Sequence, residues 1–462
     1  NGGGLSELEE FIAEVRAVLL ASCRVPGVGA GVSESVLRAF STVLDHLDKT
    51  NNASGGPQQQ QQQQQQARRL AADATTLCAL MPATAAAAAT DLAAADGSGA
   101  SSGGGGGGNG KGLLMRAGEA VVRAAATMAS AGLHARGEEF AALQAAALSA
   151  VGALLPGLAG GGGGGIDSNS NATAIAEAVV GLVRSCWEGT GSGGGGGELV
   201  PVSAGRLLLS LTTVLPPSAL EASQALSTLL KESNQQVASK LPVAARVLLY
   251  SSLSAFLLPP RFLQGDMGKV VDLEGRSRAY SELVGPVLSP FSTALKCWQE
   301  WAGPSSWPGF SDAGVSAELS CGCRILSRLC RGFVSTPAKA RRVLYQALDP
   351  ALSPLLALVP PLLDQASAGS KDAASAAQAM LRLQVSVVEC LGKEAGPTFA
   401  SSAVMSLSAT AGVGSGSAGG PAWLSAAAFR LLASVMKARN KDTRNLVPQA
   451  CEFALGRLHA LG

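Results

Sequence analysis

The sequence predicts an all-α fold, an α-solenoid of HEAT/ARM-like helical hairpins carrying Gly/Ala/Gln-rich inserts that are expected to be disordered. Two observations predict it. Apolar residues recur at helical spacing in one segment after another, and proline or glycine marks the joints between them. In the segment Lys371–Glu394, Ala376, Met380, Leu383, Val387 and Leu391 advance by four, three, four and four positions. Such steps return to one side of a 3.6-residue helix and leave an apolar stripe that needs a neighbour to cover it. Leu319, Cys323, Leu326, Cys330 and Phe333 repeat the arrangement in the preceding segment. Many such stripes in series, with no alternating strand pattern between them, describe an array in which each unit buries surface against the next.

The elements follow in order. Leu5, Leu8, Ile12, Val15 and Leu19 form a first stripe, and Pro26 with Gly27, Gly29 and Gly31 breaks it. Ser33 offers an N-cap to a second stripe of Val36, Phe40, Val43 and Leu47. Residues 1–50 are therefore read as one hairpin. Residues 51–112 read as a low-complexity insert: Gln58–Gln66 is a solvated loop or a helical extension into Ala67–Met81, and Ala83–Gly112 is a flexible stretch. Across 113–200 the helices Leu113–Ala131, Arg136–Leu155 and Ala172–Trp187 have alanine-rich faces, which stabilise less per residue than leucine faces. Residues 201–462 carry the better-formed repeats. They comprise Ser203–Leu215, Ala219–Lys231, Leu241–Leu258, Arg276–Trp301, Val315–Val334, Pro337–Asp364 (broken near Pro350 and Pro360), Lys371–Glu394, Ala422–Ala438 and Thr443–Leu461. The advance from one pair to the next is about 40 to 60 residues, close to the HEAT range with insertions.

Composition narrows the function. Charged residues make up 15% of the 462 positions and the net charge is +2, which argues against nucleic acid or an anionic membrane as partner. Mean hydropathy is positive, but Phe140–Leu158 contains Gln144, Ser149 and Pro156, and Pro350–Leu363 carries four prolines and falls short of the roughly 20 residues a span requires. No membrane insertion is expected. The chain begins with Asn1, so it reads as a fragment. Nine cysteines, mostly on apolar faces, suit reduced buried thiols.

Candidate chemistry is sparse. Gly105–Lys111 satisfies the first seven positions of a P-loop, but Gly112 stands where Ser or Thr must hold magnesium, and no strand precedes it. Cys321, Cys323 and Cys330 lack a histidine nearby, and Cys321 and Cys323 point about 200° apart on a helix. His46, His134 and His459 are scattered and read as exposed or capping residues. The expectation is no enzyme, no cofactor and no metal. The basic cluster Arg324, Arg328, Arg331, Lys339, Arg341 and Arg342 stands out instead. Arg324, Arg328 and Arg331 share one ridge, which reads first as a solvated outer face and otherwise, with Arg341 and Arg342, as a candidate contact for an acidic partner. Trp298, Trp301 and Trp307 read as staples of a helix joint, with anchoring of a partner as the alternative.

The order Arg276-Ser-Arg278-Ala-Tyr280, Leu283-Val-Gly-Pro286-Val-Leu288 and Phe291, then Glu318-Leu-Ser-Cys-Gly-Cys-Arg-Ile-Leu and Arg331-Gly, resembles exportin-4-like members of the importin-β superfamily. Ala347-Leu-Asp-Pro350-Ala-Leu, Pro354-Leu-Leu and Leu383-Gln-Val-Ser-Val-Val-Glu389-Cys390 continue the likeness. The resemblance covers about 120 residues at core positions. It implies a nuclear transport receptor that shuttles between nucleus and cytoplasm, with folded protein cargo, Ran-GTP and nucleoporins as partners. The family's members are longer and more acidic than this chain. The alternative is a Ran-independent HEAT-repeat scaffold.

Overall fold

In the computed structural model the described residues are 28–52, 57–97, 108–160, 166–188, 197–232, 237–259, 273–300, 308–310, 312–334, 336, 338–413 and 422–437, with scattered positions before 28 and at 448. Among them every regular element is helical. The chain divides into two compact units, Asn1–Ser252 and Leu253–Gly462. Each is a stretch of α-solenoid built from helical hairpins.

In the first unit α1 (Gly29–Asn52) pairs with α2 (Pro57–Gly97), α3 (Gly108–Ser130) with α4 (Glu138–Gly160), and α5 (Ile166–Glu188) with α6 (Leu199–Val214). Helices two apart also touch, so α2, α4 and α6 form one layer. The other layer holds α1, α3 and α5, and then the short helices α7 (Pro217–Ala222) and α8 (Gln224–Glu232). Contact with both the next helix and the next but one is what makes an array of hairpins a solenoid. The joint from α5 to α7 and α8 is laced by polar bonds. Arg184 donates to Glu232 at 2.8 Å, Ser218 to Asn169 at 2.9 Å, and the Glu177 carboxylate accepts from the Ala225 backbone N–H at 3.2 Å. These partners lie 48 or 49 residues apart, which matches the advance expected from the sequence.

Gln144, fully buried on the apolar helix α4, donates to the Ala125 carbonyl at 3.0 Å and to the Cys186 sulfur at 3.3 Å. A buried amide needs such partners, and here they tie α4 to α3 and α5 of the other layer. Glu138–Ala159 and Ala338–Ser367 are each long and apolar enough to cross a membrane by length and composition; in the structure both pack against neighbouring helices.

α9 (Val243–Leu257) straddles the division at Ser252; within the first unit its Leu248 approaches α6 closely, and a Cβ added at Gly205 would stand 2.8 Å from the Leu248 Cβ. The second unit continues with α10 (Leu273–Glu300), α11 (Ala313–Gly332), α12 (Ala338–Ser367), α13 (Lys371–Val413) and α14 (Ala422–Lys437). α10 packs on α12 and α11 on α13, again two apart, while α12 with α13 and α13 with α14 are sequential neighbours. Both stripes that predicted the fold are buried: Leu319, Cys323, Leu326, Cys330 and Phe333 on α11, and Ala376, Met380, Leu383, Val387 and Leu391 on α13.

Gly322 sets the distance between α10 and α11. A Cβ there would meet the Phe291 ring at 2.9 Å and the Val287 carbonyl oxygen at 3.2 Å. Gly322→Ala is therefore expected to destabilise by about 1–3 kcal/mol, since overpacking forces the helices apart. A urea midpoint unchanged from wild type would contradict this contact.

Four expectations need correction. Helix α12 runs unbroken through Pro350, Pro354, Pro360 and Pro361. Each proline costs the helix a backbone N–H without ending it, and the buried side chains of Leu344, Leu348, Leu355 and Leu362 hold the helix in place. Ala83–Gly97 is helical as the end of α2, because alanine favours helix, whereas Gln58–Gln66 takes the helical one of its two expected forms. Helix α13 continues past Glu394 to Val413. His134 is buried, at 4% exposure, in a one-turn 3-10 helix after α3, whereas His46 is exposed. The expectations for Leu5–Ile12, Trp301, Trp307, Thr443–Leu461 and His459 lie outside the described residues.

Candidate functional site

The site is built on α11, α13 and α14. Asp312 starts α11: its carboxylate accepts from the Gly314 backbone N–H at 2.7 Å and, more weakly, from that of Val315 at 3.4 Å. This satisfies orphan donors of the first turn. The helix then buries its cysteine and leucine positions and leaves Arg324, Arg328 and Arg331 exposed. The start of α13 is fixed by a tight joint. Gly369 takes φ +100°, which only glycine adopts without strain, and ends α12. Ser370 Oγ then accepts from the Ala373 backbone N–H at 3.2 Å and caps α13.

From that start, Ser375, Gln378, Arg382 and Val385 fall at steps of three, four and three and share the outward face of α13. α14 adds Ala426 and Arg430, one turn apart. Together the three helices line a groove of about 540 Å³. Arg324, Arg328, Arg331, Arg382 and Arg430 all face it, and its lining residues include no aspartate or glutamate. Its floor includes the buried Cys323, Ala379 and Leu381. Glu389, a turn beyond Val385, accepts from Ser434 Oγ at 2.9 Å and stands outside the lining.

The predicted basic cluster therefore divides. Arg324, Arg328 and Arg331 enter the groove, joined by Arg382 and Arg430. Arg341 does not. Its Nε donates to Glu394 Oε1 at 3.0 Å and its Nη1 to the Thr336 carbonyl at 2.8 Å, with side-chain exposures of 19% and 11% for the ion pair. It ties α12 to α13 and is a structural residue. Lys339 and Arg342 are exposed but line no part of the groove.

The thiols are in apolar settings. Burial pushes Cys186 up to about 11, against a smaller opposing effect of its bond with Gln144, and raises Cys323 and Cys330 further still. A thiol in that state is a poor nucleophile and a poor ligand. Among the described residues no three His, Cys, Asp or Glu side chains stand together as a metal site. The P-loop-like run enters α3 at Gly108, and its earlier residues lie outside the described ones.

No family model matches the chain, and no curated protein does. Among solved structures it is similar to a circular tandem repeat protein with novel repeat topology and enhanced subunit contact surfaces. The two share 11% identity and a TM-score of 0.41, over 99% of each chain.

Proposed function

We propose that this chain is a helical-repeat protein that holds other proteins, and that it does so as an exportin-type nuclear transport receptor acting with Ran-GTP. The observation that carries the first part is the stacking of hairpins in two layers, with helix surfaces left free beside a concentrated basic groove. Such surfaces suit large partners better than they suit small substrates. The second part rests on the resemblance at 276–395. The positions that carry it include Tyr280, Leu283, Val284, Phe291, Leu319 and Val387, all of which are buried.

In this reading folded cargo and Ran-GTP bind cooperatively, because each stabilises the same curvature of the stacked hairpins and the second ligand finds it already set. Hydrolysis of GTP on Ran releases the cargo, and the chain shuttles between nucleus and cytoplasm, meeting nucleoporins on the way. The chain itself supplies no reacting group.

Ran locked in its GTP form, immobilised beside the GDP form, tests the proposal. At least about a fivefold preference for the GTP form is expected, the lower end of ordinary coupling energies. Equal retention on both forms would remove the transport reading and leave the Ran-independent scaffold.

A further inference from the structure

We propose that the groove between α11, α13 and α14 is a docking site for an extended, acidic peptide segment of a partner protein, whose carboxylates pair with Arg324, Arg328, Arg331, Arg382 and Arg430. The proposal rests on the protein-binding reading above but not on Ran or on transport.

Five guanidinium groups on three helices share one groove, and no carboxylate among its lining residues offsets them. Arginine is cationic throughout the physiological range and presents a planar fork matched to carboxylates. Like charges gathered within about a Debye length of one another repel. An anionic ligand relieves that repulsion, whereas a solvated salt-bridged face would have none to relieve. The apolar floor of Cys323, Ala379 and Leu381 lowers the local dielectric beneath the arginines, so each pairing is stronger than on open surface.

Length and lining select among anions. From Ser375 to Val385 the groove follows α13 for about 15 Å, at 1.5 Å per residue. An extended chain covers that in about five residues. Ser327, Ser375 and Gln378 offer hydroxyl and amide groups to a peptide backbone, and Ala379, Val385 and Ala426 offer contacts to small apolar side chains between the acidic ones. Nothing aromatic lines the groove, so the stacking platforms that single-stranded nucleic acid uses are missing from it.

The test is fluorescence anisotropy on the full chain with a fluorescein-labelled octapeptide alternating glutamate with leucine or alanine. The double variant Arg328→Glu with Arg382→Glu is expected to weaken binding by at least about 30-fold, and raising salt from low to physiological strength is expected to weaken it in wild type. Lys339→Glu with Arg342→Glu makes the same charge change outside the groove and is expected to cost less than about threefold. Should charge reversal lower the helical circular dichroism signal, Arg328→Gln with Arg382→Gln replaces it, with a loss of about tenfold expected. Equal losses in the groove and control variants would overturn the proposal. So would displacement of the peptide by inositol hexakisphosphate or poly-uridine RNA at lower concentration than by unlabelled peptide. Retention on Ran-GTP is read on the same proteins. Absence of peptide binding by the wild-type chain with its Ran-GTP preference intact sinks the groove alone, and groove-dependent peptide binding without a Ran-GTP preference leaves the groove standing.

Discussion

Arg341→Ala is expected to lower the stability of the second unit by about 2–3 kcal/mol, somewhat less than removing one partner from a fully buried ion pair, because this hydrogen-bonded pair is part-buried. The mutation removes two bonds, one to Glu394 Oε1 and one to the Thr336 carbonyl. It leaves the Glu394 carboxylate, at 11% exposure, without its cation. Glu394 Oε2 is buried and has no hydrogen-bond partner among the described residues, so its desolvation is offset chiefly by the neighbouring Arg341 charge. Arg341→Ala with Glu394→Ala is expected to recover part of the loss, because the stranded charge goes too. Urea unfolding followed by circular dichroism measures both. A single-mutant cost below about 1 kcal/mol would place the pair with ordinary exposed ion pairs and contradict the burial seen here.

The same residue shows why the site was only half legible in the sequence. Arg341 adjoins the basic ridge along the chain, yet its partner lies 53 residues away on another helix. No local pattern announces that pairing. Arg324, Arg328 and Arg331, by contrast, were legible because their spacing and the cysteine/leucine stripe together define an outward face of α11. Arg382 carried a signal of its kind: Ser375, Gln378 and Arg382 step along α13 opposite its core stripe. What spacing does not contain is that this polar face sits beside that of α11. Helices two apart in the chain become neighbours only through the stacking of hairpins. Arg430 adds a third helix, and with it the groove.

The fold was more legible than the site, and its errors share a cause. Periodicity identified α10, α11, α13 and α14 as helices because their buried positions are large and regularly spaced. Ala83–Gly97 misled because alanine repeats carry no contrast between faces, although alanine is itself the strongest helix former. Pro350 and Pro360 misled because a lone helix would break there. In α12, tertiary packing against α10 and α13 outweighs the local cost. His134 reads as exposed or capping in the sequence, and its burial is set by the helices around its turn.

Tyr280→Ala is expected to cost about 4 kcal/mol, within the range for removing a large aromatic side chain from a core. Tyr280 is fully buried on α10. Its ring meets Phe333 edge to face with centroids 6.1 Å apart, and its hydroxyl oxygen accepts from Ser254 Oγ at 3.3 Å. One side chain thus joins the end of α9, the start of α10 and the end of α11. Burial raises the phenol well above its usual range, so it stays neutral at every working pH. Tyr280→Phe separates the two contributions. It keeps the aromatic pair, gives up the bond with the buried Ser254, and is expected to cost about 1 kcal/mol. For a unit of about 200 residues, 4 kcal/mol corresponds to a fall in midpoint of about 8–16 °C. Because a repeat array loses stability chiefly at the affected interface, amide exchange should quicken in α9–α11 and stay unchanged in α2–α4. Uniform quickening along the chain, or equal costs for alanine and phenylalanine, would mean that Tyr280 acts through its hydroxyl or through the whole fold rather than through this three-helix contact.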